Sequence, residues 1–358
     1  MLKEFAEKYS YDLPEGLVRK VPLAVRHNSK LLVYDTKNEK IYHDIFLNLD
    51  KYLPENSKLI LNKTKVLPAR LRALGSHSGK WEIFLVLNEW SGVGDVVCFT
   101  QTAISTTKTR DNPKVLYSEI PGLKGERVEI KIYKDVDGIT YFKNEFSAPE
   151  ELYNFLEQHG ETPVPPYLLD ENIPLNEAET RNRYQTVFAE SGKSVAAPTA
   201  SLHFTEDVFK KLEDKNILPE YVNLEIGRGT FSNITEKNLS EGKLHKEYYS
   251  IPAITVDVLN NKNIIKVAVG TTAVRTIESF GSTGRAVGET DIFIKDNFNF
   301  KYTDILVTNF HQPQTSLMAL VDSFLQHKQA KYNITDIYKI AIQNKYSFYS
   351  FGDSMLII

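Results

Sequence analysis

Residues 264–280 read IIKVAVGTTAVRTIESF. The first six are short, apolar and rich in β-branched side chains, which reads as a buried strand. Gly270 leaves that strand, Thr271 or Thr272 can cap a following helix, and Arg275 falls in the first turn of that helix. The same order recurs on either side. YVNLEI (221–226) leads into GRGTF (227–231), and DILVTNF (304–310) leads into HQPQTSLMALVDSFL (311–325). Strands alternating with helices predict a largely parallel α/β layer, whose ligands gather beyond the carboxyl ends of its strands. Upstream, KLLVYD (30–35) and KLILN (58–62) also read as strands.

Between about 71 and 146 the pattern changes. WEIFLVL (81–87), DVVCFT (95–100), RVEIKIYK (127–134) and ITYFK (139–143) are short, β-branched or aromatic, and separated by turn signals. Asp137-Gly138 predicts a type I′ hairpin turn. This stretch reads as a small all-β barrel. The expected architecture is therefore a large mixed-sheet α/β domain, residues 1–70 and 147–358, interrupted by a small barrel domain, residues 71–146. Ser147 to Glu150 forms a capping-box pattern, Gly160 stops the helix it opens, and the three prolines of TPVPPYL (162–168) make that segment stiff. The run GSTGRAVG (281–288) follows a helix rather than a strand, so it is read as a loop and not as a dinucleotide fingerprint.

The 358 residues are 42% hydrophobic and 25% charged, the proportions of an ordinary soluble protein. No apolar run reaches the ~18 residues of a membrane span, and MLKEFAEKYSYDLPEG has no signal-peptide core. Cys98 is the single cysteine, which excludes an internal disulfide and places the chain in the cytosol. A net charge of −3 means that any nucleic acid must be met by a local basic surface.

Several groups could carry chemistry. Around Gly270, Thr271, Thr272 and Arg275, free backbone N–H groups, hydroxyls and a guanidinium suit a carboxylate or phosphate, although a capped helix with Arg275 paired to Glu278 would read the same way. SVAAPTASLHFT (194–205) sets small residues and Pro198 before His203, with Thr205 as a helix N-cap. It reads either as a loop where backbone approaches a flat ligand or as a packed connector with a satisfied histidine. Asn309 and His311 sit likewise at a strand end, and His245 with Glu247 forms an acid–base pair if both face one cleft. GRGTF reads as a tight turn near a ligand, flanked by Arg228 and Thr230. No nucleophile elbow, Walker loop or zinc spacing occurs, so no metal is assigned. Acid–base or group-transfer work on an organic substrate is what remains.

The ordered blocks RYQTVFA (183–189), SVAAPTASLHFT, GRGTF, VAVGTTAVRTIES (267–279), GETDIFI (288–294), TNFHQP (308–313) and YSFGDSMLI (349–357) resemble one family. So do YDLPEGLV (11–18) and LNKTKVLPARL (61–71). The family is that of the S-adenosylmethionine:tRNA ribosyltransferase-isomerases of queuosine biosynthesis, and the resemblance spans nearly the whole chain. It implies a barrel inserted in an α/β domain. It also implies transfer and isomerisation of the ribosyl part of S-adenosylmethionine onto 7-aminomethyl-7-deazaguanine at the tRNA wobble position, yielding epoxyqueuosine-tRNA, adenine and methionine. S-Adenosylmethionine would be a co-substrate with no bound cofactor, and the partner would be tRNA with a modified wobble base, met by a monomer. On this reading His203, His311, His245 and Glu247 are the catalytic candidates. Tyr184, Gln185, Thr186, Pro198, Thr199, Arg228, Gly229, Thr230, Gly270, Thr271, Thr272, Arg275 and Asn309 line the substrate site. The chain departs from the family pattern at Lys63, where the family has Asp, at Arg228, where a small or apolar residue is usual, and at Gln314, where it has Lys. These departures keep open a paralogue with another acceptor, or a non-catalytic RNA-binding relative.

Overall fold

The structure is a computed structural model and describes residues 1–75, 79–119, 127–169, 176–227, 229 and 233–358. After helix α1 (Leu2–Lys8) come strands β1 (Lys30–Asp35), β2 (Lys40–Ile45), β3 (Lys58–Asn62) and β4 (Thr64–Val66). Then follow β5 (Arg70–Leu74), β6 (Lys80–Leu85), β7 (Val96–Thr100), β8 (Lys114–Glu119), β9 (Arg127–Lys134) and β10 (Thr140–Phe142). Helices α2 (Pro149–His159) and α3 (Glu177–Arg183) lead to β11 (Ser191–Ser194), α4 (Glu206–Glu213) and β12 (Leu218–Leu224). The remainder alternates: α5 (Glu236–Glu241), β13 (Lys243–Ser250), α6 (Ala253–Asn260), β14 (Lys266–Val269), α7 (Thr271–Thr283), β15 (Val287–Ile292), β16 (Ile305–Asn309), α8 (Ser316–His327), α9 (Ile334–Gln343) and β17 (Ser354–Ile357).

Among the described residues nine strands form one mixed sheet, in the order β15-β13-β12-β3-β14-β16-β17-β1-β2. Its centre, β12-β3-β14-β16, is parallel. β17 runs against β16 and with β1, and β13 and β15 extend the other side antiparallel. The middles of β3, β14 and β16 are apolar because both faces are covered, with polar residues such as Lys58, Asn62, Lys266 and Asn309 at their ends. Side chains alternate between the faces. Leu59, Leu61, Val267, Val269, Ile305 and Val307 pack with Phe204, Val208 and Leu212 on one side. Ile60, Ala268 and Leu306 meet Ala273, Ile277, Met318, Phe324 and Ile337 on the other.

Strands β5 to β10 close into a barrel, ordered β10-β7-β6-β5-β8-β9 and antiparallel throughout. Leu71, Ile83, Leu85, Val96, Leu116, Ile130 and Phe142 fill it, and Leu152, Phe155 and Leu156 of α2 join the same core. Cys98 is buried here, and burial pushes its thiol pKa up.

Four local expectations are corrected. The β9–β10 turn is not type I′: Gly138 has φ +77° but Asp137 does not enter the left-handed region, and Gly138 N donates to Asp135 O at 2.9 Å. A type I turn ending on a left-handed glycine matches these bonds. The capping box at 147–150 does not form. Helix α2 starts later, with Pro149 in its first turn and no side-chain cap. Neither Thr271 nor Thr272 caps α7, whose N-cap is Gly270, and Arg275 is the fifth helical residue, just past the first turn. The 281–288 run is not a loop throughout: α7 continues to Thr283, Gly284 ends it at φ +69°, and β15 begins at Val287.

Candidate functional site

A cleft of about 610 Å³ opens beyond the carboxyl ends of β14 and β16, beside the segment 196–200. The chemistry of its walls follows from the turns that leave the strands. At the end of β14, Gly270 takes φ +83°, a conformation that suits glycine. That turn brings its backbone against Ala200, whose Cβ lies 3.5 Å from where a Cβ on residue 270 would sit. The small side chains of 196–200 therefore allow two backbone segments to approach across the cleft floor. At the end of β16, Thr308, Asn309, Phe310 and His311 enter the wall, Tyr349 and Ser350 are hydrogen-bonded beside them, and Tyr167 and Tyr184 also line the cleft.

His203 is not in that wall. It is 5% exposed, packs on Phe46 at 5.0 Å, and borders a small hollow near Arg26 and Arg183. Its Nδ1 lies 2.8 Å from Ser29 Oγ and its Nε2 3.0 Å from Asn309 Oδ1. Asn309 Nδ2 donates to the carbonyls of Tyr349 and Ser350, at 3.2 and 3.4 Å, so Oδ1 is the acceptor and His203 Nε2–H the donor. The ring is a neutral tautomer accepting from Ser29, and burial pulls its pKa down to about 4. Both nitrogens are occupied, and the ring meets the cleft only through Asn309. Asn309 lines the cleft, but its amide atoms serve His203 and the 349–350 loop.

His311 does line the cleft, 9% exposed. Its backbone N donates to Tyr338 OH at 2.8 Å, and Tyr11 OH donates to its carbonyl. The ring nitrogens have only long contacts, 3.4 Å to Thr308 Oγ1 and 3.5 Å to Tyr338 OH. Burial pulls its pKa down to about 3, so the imidazole is neutral at working pH.

Glu247 and His245 lie two apart on β13 and line the same two hollows, and Glu247 also reaches the cleft. Glu247 is 3% exposed and carries an ion pair to Arg275 Nη1, while its Oε1 accepts from Gly227 N at 2.9 Å. His245 is half-buried, packs beside Gly229 and borders two hollows next to the cleft rather than the cleft itself. Arg275 accordingly pairs with Glu247, not Glu278. The Glu278 carboxylate, 1% exposed, accepts from the backbone of Lys301, Tyr302 and Thr303 and from Thr303 Oγ1 at 2.8–3.0 Å.

Pro198, Thr199, Gly270, Thr271, Thr272, Arg275 and Tyr184 all reach the cleft. Gln185 does not: its side chain exchanges two hydrogen bonds with the Val66 backbone, at 3.0 and 3.2 Å, and Thr186 stands beside it on another surface. Gly229 faces a hollow behind Arg275. Arg228 and Thr230 fall outside the described residues. Sequence reasoning missed Tyr167, Tyr349 and Ser350, although the segments TPVPPYL and YSFGDSMLI were themselves conspicuous. Tyr349 holds φ +74°, an outlier for an aromatic residue at a cleft wall. Of the departures, Lys63 pairs with Glu190, and neither Lys63 nor Gln314 lines the cleft. Among the described residues no group of three or more His, Cys, Asp or Glu is placed to hold a metal ion, and no helix is long and apolar enough to cross a membrane.

A mixed α/β sheet, a closed six-stranded barrel and a cleft beyond the strand ends define the class: an α/β protein with its cleft where such sheets gather ligands. Comparison narrows the class. The sequence profile described as queuosine biosynthesis protein matches residues 6–357, and the chain belongs to that family. It is similar to proteins named S-adenosylmethionine:tRNA ribosyltransferase-isomerase: 37% identical over 361 residues to that of Carboxydothermus hydrogenoformans, covering 98% of both chains. The one from Aquifex aeolicus is 36% identical over 362 residues, covering 98% of this chain and 99% of that one. A crystal structure titled S-adenosylmethionine tRNA ribosyltransferase, from Thermotoga maritima, matches 98% of this chain and 100% of that chain, with 27% identity and a TM-score of 0.53.

Proposed function

We propose that this protein is an S-adenosylmethionine:tRNA ribosyltransferase-isomerase. It moves and isomerises the ribosyl part of S-adenosylmethionine onto 7-aminomethyl-7-deazaguanine at the tRNA wobble position, releasing adenine and methionine. The observation that carries this reading is the cleft: of the blocks that mark the family, 194–205, 267–279, 308–313 and 349–357 converge on it from separate parts of the chain. A volume of about 610 Å³ suits a ligand the size of S-adenosylmethionine, with one side left open for a nucleobase.

The chemistry needs acid–base groups and no resident cofactor. The sulfonium acidifies the neighbouring 5′ C–H. Loss of that proton opens the ribose at its C4′–O4′ bond and lets adenine leave from C1′; the aminomethyl nitrogen then bonds to the opened ribosyl skeleton, and an oxygen of that skeleton displaces methionine from C5′ to close the epoxide. His311, with only long contacts to its ring nitrogens in the cleft wall, serves as the proton acceptor, a transfer that the basicity lost to burial makes uphill while the cleft is empty; His203 positions Asn309. Tyr184, Pro198, Thr199, Gly270, Thr271, Thr272 and Arg275 contact the substrates. The working form is a cytosolic monomer, with the barrel as an inserted domain over 71–146. Because Lys63 and Gln314 stand off the cleft, the departures there leave the usual acceptor in place. The test is nucleoside mass analysis of tRNA carrying the aminomethyl-deazaguanine. Epoxyqueuosine should form only when enzyme and S-adenosylmethionine are both present; recovery of unchanged tRNA alongside bound S-adenosylmethionine would contradict the proposal.

A further inference from the structure

Arg275 is 9% exposed, yet among the described residues only its Nη1 has a partner, and Nε and Nη2 are buried with none. Nε–H and one Nη2–H lie on a single edge of the guanidinium, spaced to meet both oxygens of a carboxylate or two of a phosphate. Burying such donors without a protein partner is costly, so the edge suits a partner that the chain does not itself supply. Thr272 Oγ1 is likewise buried without a partner among the described residues. Three residues apart on α7, Thr272 and Arg275 share a helix face, and both line the cleft. The thirteen-residue α7 follows its N-cap Gly270 with no side-chain cap, and among the described residues no side chain accepts from its first N–H groups.

We infer that Arg275, Thr272 and the start of α7 form an oxyanion clamp, and that Glu247 is its positioning residue. Glu247 Oε1 is fixed by Gly227 N at 2.9 Å and Oε2 by Arg275 Nη1. That grip fixes the guanidinium plane and leaves the Nε/Nη2 edge free. It also neutralises the arginine while the cleft is empty. The inference deepens the proposed function and rests on it only for the source of the oxyanion: the amino-acid carboxylate of S-adenosylmethionine, or a tRNA phosphate.

Calorimetric binding of S-adenosylmethionine and of its decarboxylated analogue to wild-type protein reads the first source. A carboxylate clamp should make the analogue bind about tenfold more weakly or worse. Arg275→Lys, which keeps a cation for Glu247 but lacks the two-pronged edge, should bring that ratio close to one. Glu247→Gln should lower the same ratio while the analogue's own affinity stays within about twofold, since it lacks the group that the clamp reads. A purely structural role for Glu247 would weaken both ligands alike and would overturn its assignment. The second arm measures tRNA affinity against salt for wild type and for Glu247→Gln/Arg275→Met, which removes both charges together. A phosphate clamp should lower the slope by about one while the two small ligands bind equally. Equal small-ligand binding with an unchanged slope overturns the clamp. If S-adenosylmethionine fails to bind at all, the proposed reaction falls, while the salt arm still decides the clamp.

Discussion

Replacing His203 by Gln separates a proton-transfer residue from one that holds its neighbours. Gln can still donate towards Asn309 Oδ1 but loses the Ser29 contact and the ring face on Phe46. The variant should be less stable than wild type by about 1–3 kcal/mol at pH 7. The pH dependence is more diagnostic. In the folded protein burial lowers the His203 pKa to about 4, whereas unfolded histidine titrates near 6.5. Below that value the unfolded chain binds a proton that the folded one refuses. The wild-type contribution is therefore whole above pH 6.5 and is lost as pH falls towards 4. Between pH 7 and pH 5 the loss is about 2 kcal/mol. Gln does not titrate, so the gap between the two proteins should shrink by that amount. Urea unfolding of both proteins at pH 7 and pH 5, at one ionic strength, measures it. A gap that stays constant between the two pH values would refute the buried, neutral assignment.

Glu278→Gln should destabilise by about 2–4 kcal/mol in urea, because one of the acceptor oxygens facing 301–303 becomes an NH2 group opposed to backbone donors. An effect under about 0.5 kcal/mol would contradict that reading. Gly270→Ala should cost about 1–3 kcal/mol through its backbone conformation, since the new Cβ would meet Ala200 only at ordinary van der Waals distance. Thermal unfolding of the variant tests this, and an unchanged midpoint would show that φ +83° is not required. Lys63→Asp, which restores the residue usual in the family, should leave turnover within about twofold because the side chain stands off the cleft; a larger gain would place residue 63 in the reaction.

The strands were legible because burial on both faces forces long apolar runs, and KLLVYD and KLILN coincide with β1 and β3. The barrel was legible from its change of period. What failed were choices between near-equivalent local solutions: Gly270 rather than a threonine as N-cap, Pro149 rather than Ser147 opening α2, and a helix running on to Thr283. Each is settled by packing across the chain. Of the site, the cleft residues of 196–200, 270–275 and 308–311 could be read from strand ends followed by turns. The contacts of His203 could not, because its partners Ser29 and Asn309 are 174 and 106 positions away. The Arg275–Glu247 pair spans only 28 positions but joins a helix to a strand through the sheet's order, whereas Glu278, three along the same helix, was the local guess. Tyr349 escaped notice because an aromatic residue in a left-handed conformation has no sequence signature.

Adenine release from S-adenosylmethionine by the purified protein, with and without tRNA bearing the aminomethyl-deazaguanine, bears most directly on the central claim. Release that requires the modified tRNA, and persists in His203→Gln but falls at least about a hundredfold in His311→Ala, is the predicted result. No adenine in the presence of both substrates, or equal release without the tRNA, would contradict it.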